Sequence, residues 1–197
     1  MLSTNMWGLV FANESPIIFP GDEKSPSLES YVVSGAAGFL RSYSSMLLFL
    51  NKIELSVYND LDYSELQSVL NSAIGHMNDA KSAYIDLNRE VSLLPYDPEV
   101  VAALAAFDYN NYEKAKFSNP SVFSEVRGYL KDGNVKGIYQ KILSDMEGIL
   151  DKLSVLKATV DAGQFPALSD LYKINQSYSQ AFLFGQYVAE VFMELKK

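Results

Sequence analysis

Apolar residues recur along most of this chain at spacings that alternate between four positions and three. The first segment with this pattern comprises Val32, Ala36, Phe39, Tyr43, Met46, Leu50, Ile53 and Val57. Such a spacing keeps apolar side chains on one face of an α-helix, whereas a half-buried strand alternates with a period of two. The pattern therefore predicts a long first helix that begins at Pro26, with Ser25 as its N-cap, and ends near Asp60.

Three more segments show the same pattern, and each predicts another long helix. The second helix is expected between Asp62, with Glu65 completing a capping box, and Pro95. Its apolar positions are Leu66, Leu70, Ala73, Met77, Ala80, Tyr84, Leu87, Val91 and Leu94. The helix that ends at Gly163 has Val135, Tyr139, Ile142, Met146, Ile149, Leu153, Leu156 and Val160. The last helix, from near Pro166, has Leu168, Leu171, Asn175, Tyr178, Phe182, Gly185, Ala189 and Phe192.

The segment between residues 97 and 134 is less regular. Pro98 is expected to open a third helix, but the apolar spacing decays after Phe107. Asn119 and Pro120 are expected to break this segment, because proline lacks the amide donor that a helix interior needs. A short helix to Leu130 and a turn over the next residues are expected to follow.

Short connections and strict spacing together predict the fold class. Helices joined by short turns pack antiparallel, and a regular heptad spacing favours the shallow crossing angles of a bundle. The sequence therefore predicts an all-α fold, an up-and-down antiparallel bundle of four to five long helices with an extended N-terminal arm. In this prediction residues 1–25 form the arm and residues 26–197 form the bundle domain.

Residues 1–12 permit two interpretations, and these leave the compartment open. Val10-Phe11-Ala12 ends a short apolar stretch, as in the tail of a signal peptide whose start lies upstream, and the protein is then exported. The stretch lacks a basic region and a long apolar core. The other interpretation is therefore an arm that packs Trp7 and Phe11 against the bundle of a cytoplasmic protein.

Composition and charge exclude several classes of function. The 197 residues are 48% hydrophobic and carry a net charge of −8. Such an acidic chain disfavours nucleic acid as a partner, because binding phosphate needs an excess of lysine and arginine. The sequence has no cysteine, which excludes disulfides and thiolate metal sites. No apolar run approaches the ~20 residues of a membrane-spanning helix, so the sequence indicates an acidic, soluble protein.

His76 is the one histidine of the sequence and the first candidate for chemistry. Ser72 and Asp79 share its helix face, but a hydrolytic triad needs an oxyanion hole and a base aimed from another element. No catalytic residue is therefore predicted. Met46 lies level with His76 if the first two helices fold back near residue 60, which keeps haem ligation open as an alternative. The Glu-x-x-His pairs of a di-iron bundle are absent, and no metal and no cofactor are predicted.

Glycines inside the predicted helices are a second candidate. Gly35 and Gly38 lie in a small-residue patch of the first helix, and Gly185 lies between Ala181 and Ala189 in the last. Glycine in a helix costs about 1 kcal/mol relative to alanine, so a close approach is expected at these positions. Either two helices cross tightly there or a flat ligand lies between them. The predicted ligand-binding residues are Gly35, Gly38, Met46, His76 and Gly185.

The last helix is apolar on nearly every side between Ala181 and Met193. A helix of this kind is either covered by neighbouring elements or forms an interface with another molecule. The first helix has a similar excess of apolar residues around Leu48. The predicted interface residues are Leu47, Phe49, Leu183, Phe184, Tyr187 and Val191.

These observations predict a protein that is not an enzyme. The leading interpretation is a non-enzymatic interaction or structural bundle that acts through apolar surface on its first and last helices, by self-association or with a protein partner. The alternative is a carrier of a small apolar ligand or haem, with a pocket between helices near the small-residue patches. A helical bundle is compatible with both, since a fold does not determine a function.

Overall fold

The structure, a computed structural model, describes residues 28–55, 62–92, 98–110 and 119–195. Within these ranges 91% of the residues are helical and no strand occurs. The described part of the chain is an all-α helical bundle, as the apolar spacing predicts. The expected N-terminal arm lies outside the described residues.

Six helices lie within the described ranges. They are α1 Leu28–Leu55, α2 Tyr63–Ser92, α3 Pro98–Ala106, α4 Pro120–Lys131, α5 Val135–Asp161 and α6 Leu168–Leu195. The four helices predicted from regular spacing correspond to α1, α2, α5 and α6, and the irregular segment contains the two short helices α3 and α4. The predicted helix start at Pro26 and the predicted apolar positions Val57 and Leu94 lie outside the described residues.

The helix ends follow the predicted capping residues. The Asp62 carboxylate accepts hydrogen bonds from the backbone N–H groups of Ser64 at 2.9 Å and Glu65 at 3.1 Å. The Ser64 hydroxyl also donates to this carboxylate, and these hydrogen bonds, that of the hydroxyl first, lower the pKa of Asp62. At the end of α5, Gly163 has a φ of 66°, the left-handed conformation that glycine adopts without strain.

The contacts between residues divide the chain into two compact units, which are described separately. The four-helix unit comprises Ser34–Ala83 and Leu143–Ala181. The six-helix unit comprises the described residues of Met1–Val33, Tyr84–Ile142 and Phe182–Lys197, and it contains parts of all six helices described above.

In the four-helix unit, α1 and α2 pack antiparallel. The Ser42 hydroxyl donates a hydrogen bond of 2.7 Å to the carbonyl oxygen of Ala73. Further along α1, Lys52 pairs with Glu65, which lies nearer the start of α2. Residues later in α1 therefore meet residues earlier in α2, as expected for helices joined by a short connection.

The packing of α1 on α6 in the four-helix unit is also antiparallel. The ring of Phe39 meets that of Tyr178 at a centroid distance of 5.7 Å. The Tyr43 hydroxyl, one turn after Phe39 on α1, donates to the side-chain oxygen of Asn175 at 3.5 Å. Asn175 lies one turn before Tyr178 on α6. The up-and-down arrangement predicted from the sequence therefore holds for these neighbouring helices.

The core of the four-helix unit consists largely of the predicted apolar positions. Its fully buried side chains include those of Met46, Leu70, Met77, Ile149, Leu153 and Tyr178. Leu168, which the spacing placed in the core, is instead 75% exposed. The physical reason is that α6 begins at Leu168, one turn before Leu171 makes the first core contact.

Phe49 corrects one predicted interface position. Its side chain is fully buried, although the sequence analysis placed it on an exposed apolar surface. Phe49 lies three residues after Met46 and four before Ile53, and residues at these spacings share one helix face. It therefore belongs to the core stripe of α1, whereas Leu47 is 48% exposed.

Candidate functional site

In the six-helix unit, residues of α3 and α4 cover one face of α6. The α4 helix begins where the sequence predicts, because the Asn119 side chain accepts a hydrogen bond from the backbone N–H of Val122 and Pro120 takes the first helical position. The backbone N–H of Asn119 also donates to the Tyr187 hydroxyl of α6 at 3.2 Å. The buried residues of this cluster are Leu104, Tyr109, Val122, Phe123, Val126, Leu130, Ile138, Phe184, Tyr187 and Val191.

This cover corrects the interface predicted on the last helix. Phe184 is 1% exposed, Tyr187 2% and Val191 0%. The ring of Tyr129 meets that of Phe184 edge-on at a centroid distance of 5.9 Å, and Leu183 is half-buried against the same cluster. These four predicted interface residues are covered within the chain itself, because the segment broken at Asn119 and Pro120 supplies the missing neighbours.

A second face of α6 borders a cavity of about 220 Å³ within the six-helix unit. Five helices supply its wall. The lining residues are Val32, Tyr84, Val100, Val135, Ile138, Tyr139, Ile142, Gly185, Val188, Ala189 and Phe192. Every one of them is apolar or aromatic, and the only polar side-chain atoms among them are the hydroxyls of Tyr84 and Tyr139.

The small-residue patch of the last helix lies at this cavity. Gly185 and Ala189 are four residues apart, so they lie one above the other on the same face of α6. Both are buried, and both belong to the cavity wall. Larger side chains at these two positions would occupy the space that the cavity leaves. Of the predicted ligand-binding residues, Gly185 is the one that the structure places in this wall.

The small-residue patch of the first helix has a different role. A Cβ atom on Gly38 would lie 2.9 Å from the backbone nitrogen of Ala80 and 3.0 Å from the carbonyl oxygen of His76. Real Cβ atoms essentially never approach another atom more closely than 3.0 Å, so α1 and α2 cross at Gly38 as closely as glycine permits and leave no room for a ligand there. Gly35 is likewise buried and is not among the residues that line the cavity.

Met46 and His76 do not form the pair that haem ligation requires. The carbonyl oxygen of His76 lies close to Gly38, which precedes Ser42 on α1, whereas Met46 follows Ser42 by one turn. The contact of Ser42 with Ala73 sets this register, so Met46 and His76 lie on opposite sides of the contact along α1. Met46 is a fully buried core residue, His76 is half-buried, and neither is among the residues that line the cavity.

Charged side chains of the described residues do not converge on a metal site. No group of three or more histidine, aspartate or glutamate side chains that could hold a metal ion occurs in the described ranges. Glu147, which lies near Asp145 and Asp151 in α5, pairs instead with Lys81 of α2 at 2.9 Å. Among the helices that the structure describes, none is both long and apolar enough to cross a membrane.

The two tyrosines of the cavity wall are neutral hydrogen-bonding groups. Tyr84 is 3% exposed, and desolvation raises its pKa, an effect to which the neighbouring Tyr139 adds. Desolvation also raises the pKa of Tyr139. Since an ordinary tyrosine already has a pKa near ~10, both phenols stay protonated at physiological pH and can each donate one hydrogen bond.

Sequence reasoning missed these two tyrosines as site residues, although both occupy predicted apolar positions of their helices. The signal was a polar hydroxyl on a stripe that is otherwise aliphatic, at Tyr84 in α2 and Tyr139 in α5. A tyrosine in a bundle core needs a partner for its hydroxyl or space beside it. The spacing alone could not show that these two side chains meet at one cavity.

Comparison with known proteins adds no further assignment. No protein family, no curated protein and no solved structure was found to match this chain.

Proposed function

We propose that this chain binds a small apolar molecule in the cavity of the six-helix unit and does not transform it chemically. The cavity of about 220 Å³ with an entirely apolar or aromatic set of lining residues carries this proposal. A water molecule needs two to four polar partners to remain in a cavity, whereas an engineered cavity of ~150 Å³ lined by aliphatic and aromatic side chains stays dry and binds benzene. The wall described here is likewise aliphatic and aromatic apart from two tyrosine hydroxyls, and it opens partly to solvent.

The shape of the cavity supports an apolar molecule as its occupant. The cavity opens partly to solvent, and Val100 in its wall is 40% exposed, so apolar surface of the wall meets water when no molecule is bound. Removing apolar surface from water lowers the free energy by about 25 cal/mol per Å². A bound apolar molecule covers this wall beside Gly185 and Ala189, whose small size leaves the space open.

The volume limits the size of the ligand. Scaled from the benzene-binding cavity, the space accommodates about nine non-hydrogen atoms, which corresponds to a substituted single ring or a small bicyclic molecule. Haem is far larger than this, and Met46 and His76 are not in the wall. Of the two ligands considered from the sequence, we therefore propose a small apolar molecule and not haem.

Toluene binding tests the proposal directly. Thermal unfolding with and without saturating toluene is compared for the native chain, for Ala189→Leu, which places a larger side chain in the cavity wall, and for Ala158→Leu. Ala158 is an exposed alanine of α5 and provides the matched control. We expect toluene to raise the melting temperature of the native chain and of the control but not of Ala189→Leu. An unchanged melting temperature of the native chain would contradict the proposal.

Self-association through the four-helix unit is a second candidate, which retains part of the predicted interface. The side chains of Leu47, Leu168 and Tyr172 are 48%, 75% and 69% exposed. Tyr43 and Asn175 join α1 to α6; Leu47 lies one turn after Tyr43, while Tyr172 and Leu168 lie one and two turns before Asn175. In an antiparallel pair these three side chains lie along the same seam, the line on the surface where α1 and α6 meet. Monomers seldom expose an apolar patch of this kind.

Molar mass in solution tests the second candidate. A second copy of the chain seated on this seam gives a dimer in size-exclusion chromatography with light scattering. Leu168→Asp is then expected to produce a monomer, whereas Leu48→Asp, at a 48% exposed residue on another face of α1, is expected to leave the dimer intact. A native chain that is monomeric at every concentration would rule this candidate out.

A further inference from the structure

We infer that the cavity of the six-helix unit selects a neutral ligand that presents one hydrogen-bonding oxygen on an otherwise apolar ring. This inference rests on the proposed function and specifies its ligand class. Two residues carry it, Tyr84 on α2 and Tyr139 on α5, which both line the cavity and hold the only polar side-chain atoms among the described residues of its wall.

The hydroxyls of these two tyrosines are available to a ligand. No hydrogen bond among the described residues involves the hydroxyl of Tyr84 or that of Tyr139. Neither hydroxyl oxygen is fully enclosed by the described residues, so each can bond to water from the cavity. A hydrocarbon that displaces this water leaves the hydroxyls unpaired, whereas an oxygen atom on a bound molecule pairs with one of them.

We expect a neutral ligand because no charged side chain is among the described residues that line the cavity. Lys141 of α5, next in sequence to the lining residue Ile142, lies over the Phe184 ring at 5.3 Å from its centroid and 3.5 Å from the Glu125 carboxylate, and it is not among the lining residues. A carboxylate in the cavity would lose its hydration and gain at most two phenol donors. A ketone, aldehyde or phenol loses far less on entry.

The hydrogen bond gives a moderate and measurable preference. A ligand with a carbonyl oxygen pairs with a phenol donor, whereas a hydrocarbon of the same size leaves both hydroxyls unpaired. The net value of one neutral hydrogen bond corresponds to roughly a three- to tenfold difference in the dissociation constant. The ring supplies most of the affinity through the apolar wall, and the oxygen supplies the selectivity.

Three ligands of similar size and four proteins test this inference. Acetophenone, ethylbenzene and benzoate are titrated by calorimetry into the native chain, Tyr84→Phe, Tyr139→Phe and Tyr172→Phe, with circular dichroism to confirm that each variant is folded. Tyr172, 69% exposed on α6, is the matched control. We expect the native chain and the control to bind acetophenone three- to tenfold more tightly than ethylbenzene and to bind benzoate more weakly than either. In Tyr84→Phe or Tyr139→Phe, the acetophenone affinity is expected to fall to that of ethylbenzene.

The outcomes separate the inference from the proposed function. If ethylbenzene binds and acetophenone binds no more tightly, the selectivity inference is overturned and apolar binding stands. The same conclusion follows if neither Tyr84→Phe nor Tyr139→Phe changes the ratio of the dissociation constants of the two ligands. Benzoate binding more tightly than acetophenone would also overturn it. If neither neutral ligand binds the native chain, the proposed function fails and the inference fails with it.

Discussion

The hydroxyl oxygens of Ser42 and Tyr178 lie 2.6 Å apart in the buried core of the four-helix unit. Ser42 donates its single proton to the carbonyl oxygen of Ala73, so the Tyr178 hydroxyl donates to Ser42. One chain of hydrogen bonds therefore joins α6 to α1 and α1 to α2. Ser42 is 0% exposed, and the two hydroxyls satisfy each other where water does not reach.

Substitutions of this pair are expected to have unequal effects on stability. Ser42→Ala removes the acceptor of the Tyr178 hydroxyl and leaves it buried without a partner, which costs about 1–3 kcal/mol. Tyr178→Phe removes only a donor, because Ser42 keeps its bond to Ala73, and costs about 0.5–1.5 kcal/mol. Urea unfolding of both single variants and the double variant measures these values. Equal and additive effects would contradict the assigned direction of the hydrogen bond.

Gly38 and Gly75 are expected to respond in opposite ways to substitution by alanine. At Gly38 a methyl group would press against the backbone of α2, so Gly38→Ala is expected to destabilise the fold by about 1–3 kcal/mol in spite of the better helix propensity of alanine. At Gly75, an exposed position of α2, a Cβ would meet nothing within 4 Å. Gly75→Ala is expected to stabilise by up to about 1 kcal/mol. The denaturant midpoints of the two variants measure these changes in stability. Changes of the same sign for Gly38→Ala and Gly75→Ala would contradict the close crossing of α1 and α2 at Gly38.

Stability is expected to fall at high pH because buried tyrosines resist ionisation. Desolvation raises the pKa of Tyr109 to about 12 and also raises that of Tyr178, where the hydrogen bond with Ser42 acts weakly in the opposite direction. In the unfolded chain tyrosine ionises near pH ~10. The contribution of each buried tyrosine to the free energy of unfolding is therefore fully present below about pH 10. It is lost as the pH rises from there toward the pKa of the tyrosine in the folded state, by at most about 1.4 kcal/mol per pH unit for each tyrosine.

Urea unfolding between pH 8 and pH 12 measures this dependence. Tyr178→Phe removes one of the contributing groups, so its free energy of unfolding is expected to fall less steeply with pH than that of the native chain. Tyr172→Phe, at an exposed tyrosine of α6, serves as the control and is expected to keep the native slope. Identical slopes for the native chain and Tyr178→Phe would contradict the prediction.

The regular helices could be predicted because their apolar spacing is a local property of the sequence. Leu70 and Ile149 are fully buried where the heptad spacing places them, and Asp62 and Gly163 cap their helices as their side chains and backbone require. Leu168 was misplaced for a local reason as well. The spacing gives the face of a helix but not the point along it at which neighbouring helices begin to cover that face.

The surroundings of the last helix could not be predicted, because they depend on contacts between distant segments. A single inward stripe leaves Phe184 and Val191 outside the core, and their cover comes from a segment whose own periodicity decays after Phe107. The cavity could not be predicted because its volume is the difference between the space that the helices enclose and the space that their side chains fill. In the sequence only the small residues Gly185 and Ala189 indicated it.

Phe184→Asp is expected to unfold the six-helix unit rather than to dissociate a complex. A carboxylate at this 1% exposed position loses its hydration in an apolar cluster, and several kcal/mol of stability are lost with it. Leu48→Asp, at a 48% exposed position outside the predicted self-association surface, is the matched control and is expected to leave the free energy of unfolding nearly unchanged. Chemical denaturation gives both values. A fully stable Phe184→Asp would mean that α4 does not cover this face.

Methyl resonances of the chain in the presence of benzene test the central claim most directly. In a ¹H–¹³C methyl spectrum, the account predicts saturable shifts for the cavity residues Val100, Ile138 and Val188 as benzene is added. The methyl groups of Leu70 and Ile149, buried in the core of the four-helix unit, are predicted to stay in place. Benzene shifts that are absent, or that are spread equally over both sets of methyl groups, would contradict binding in this cavity.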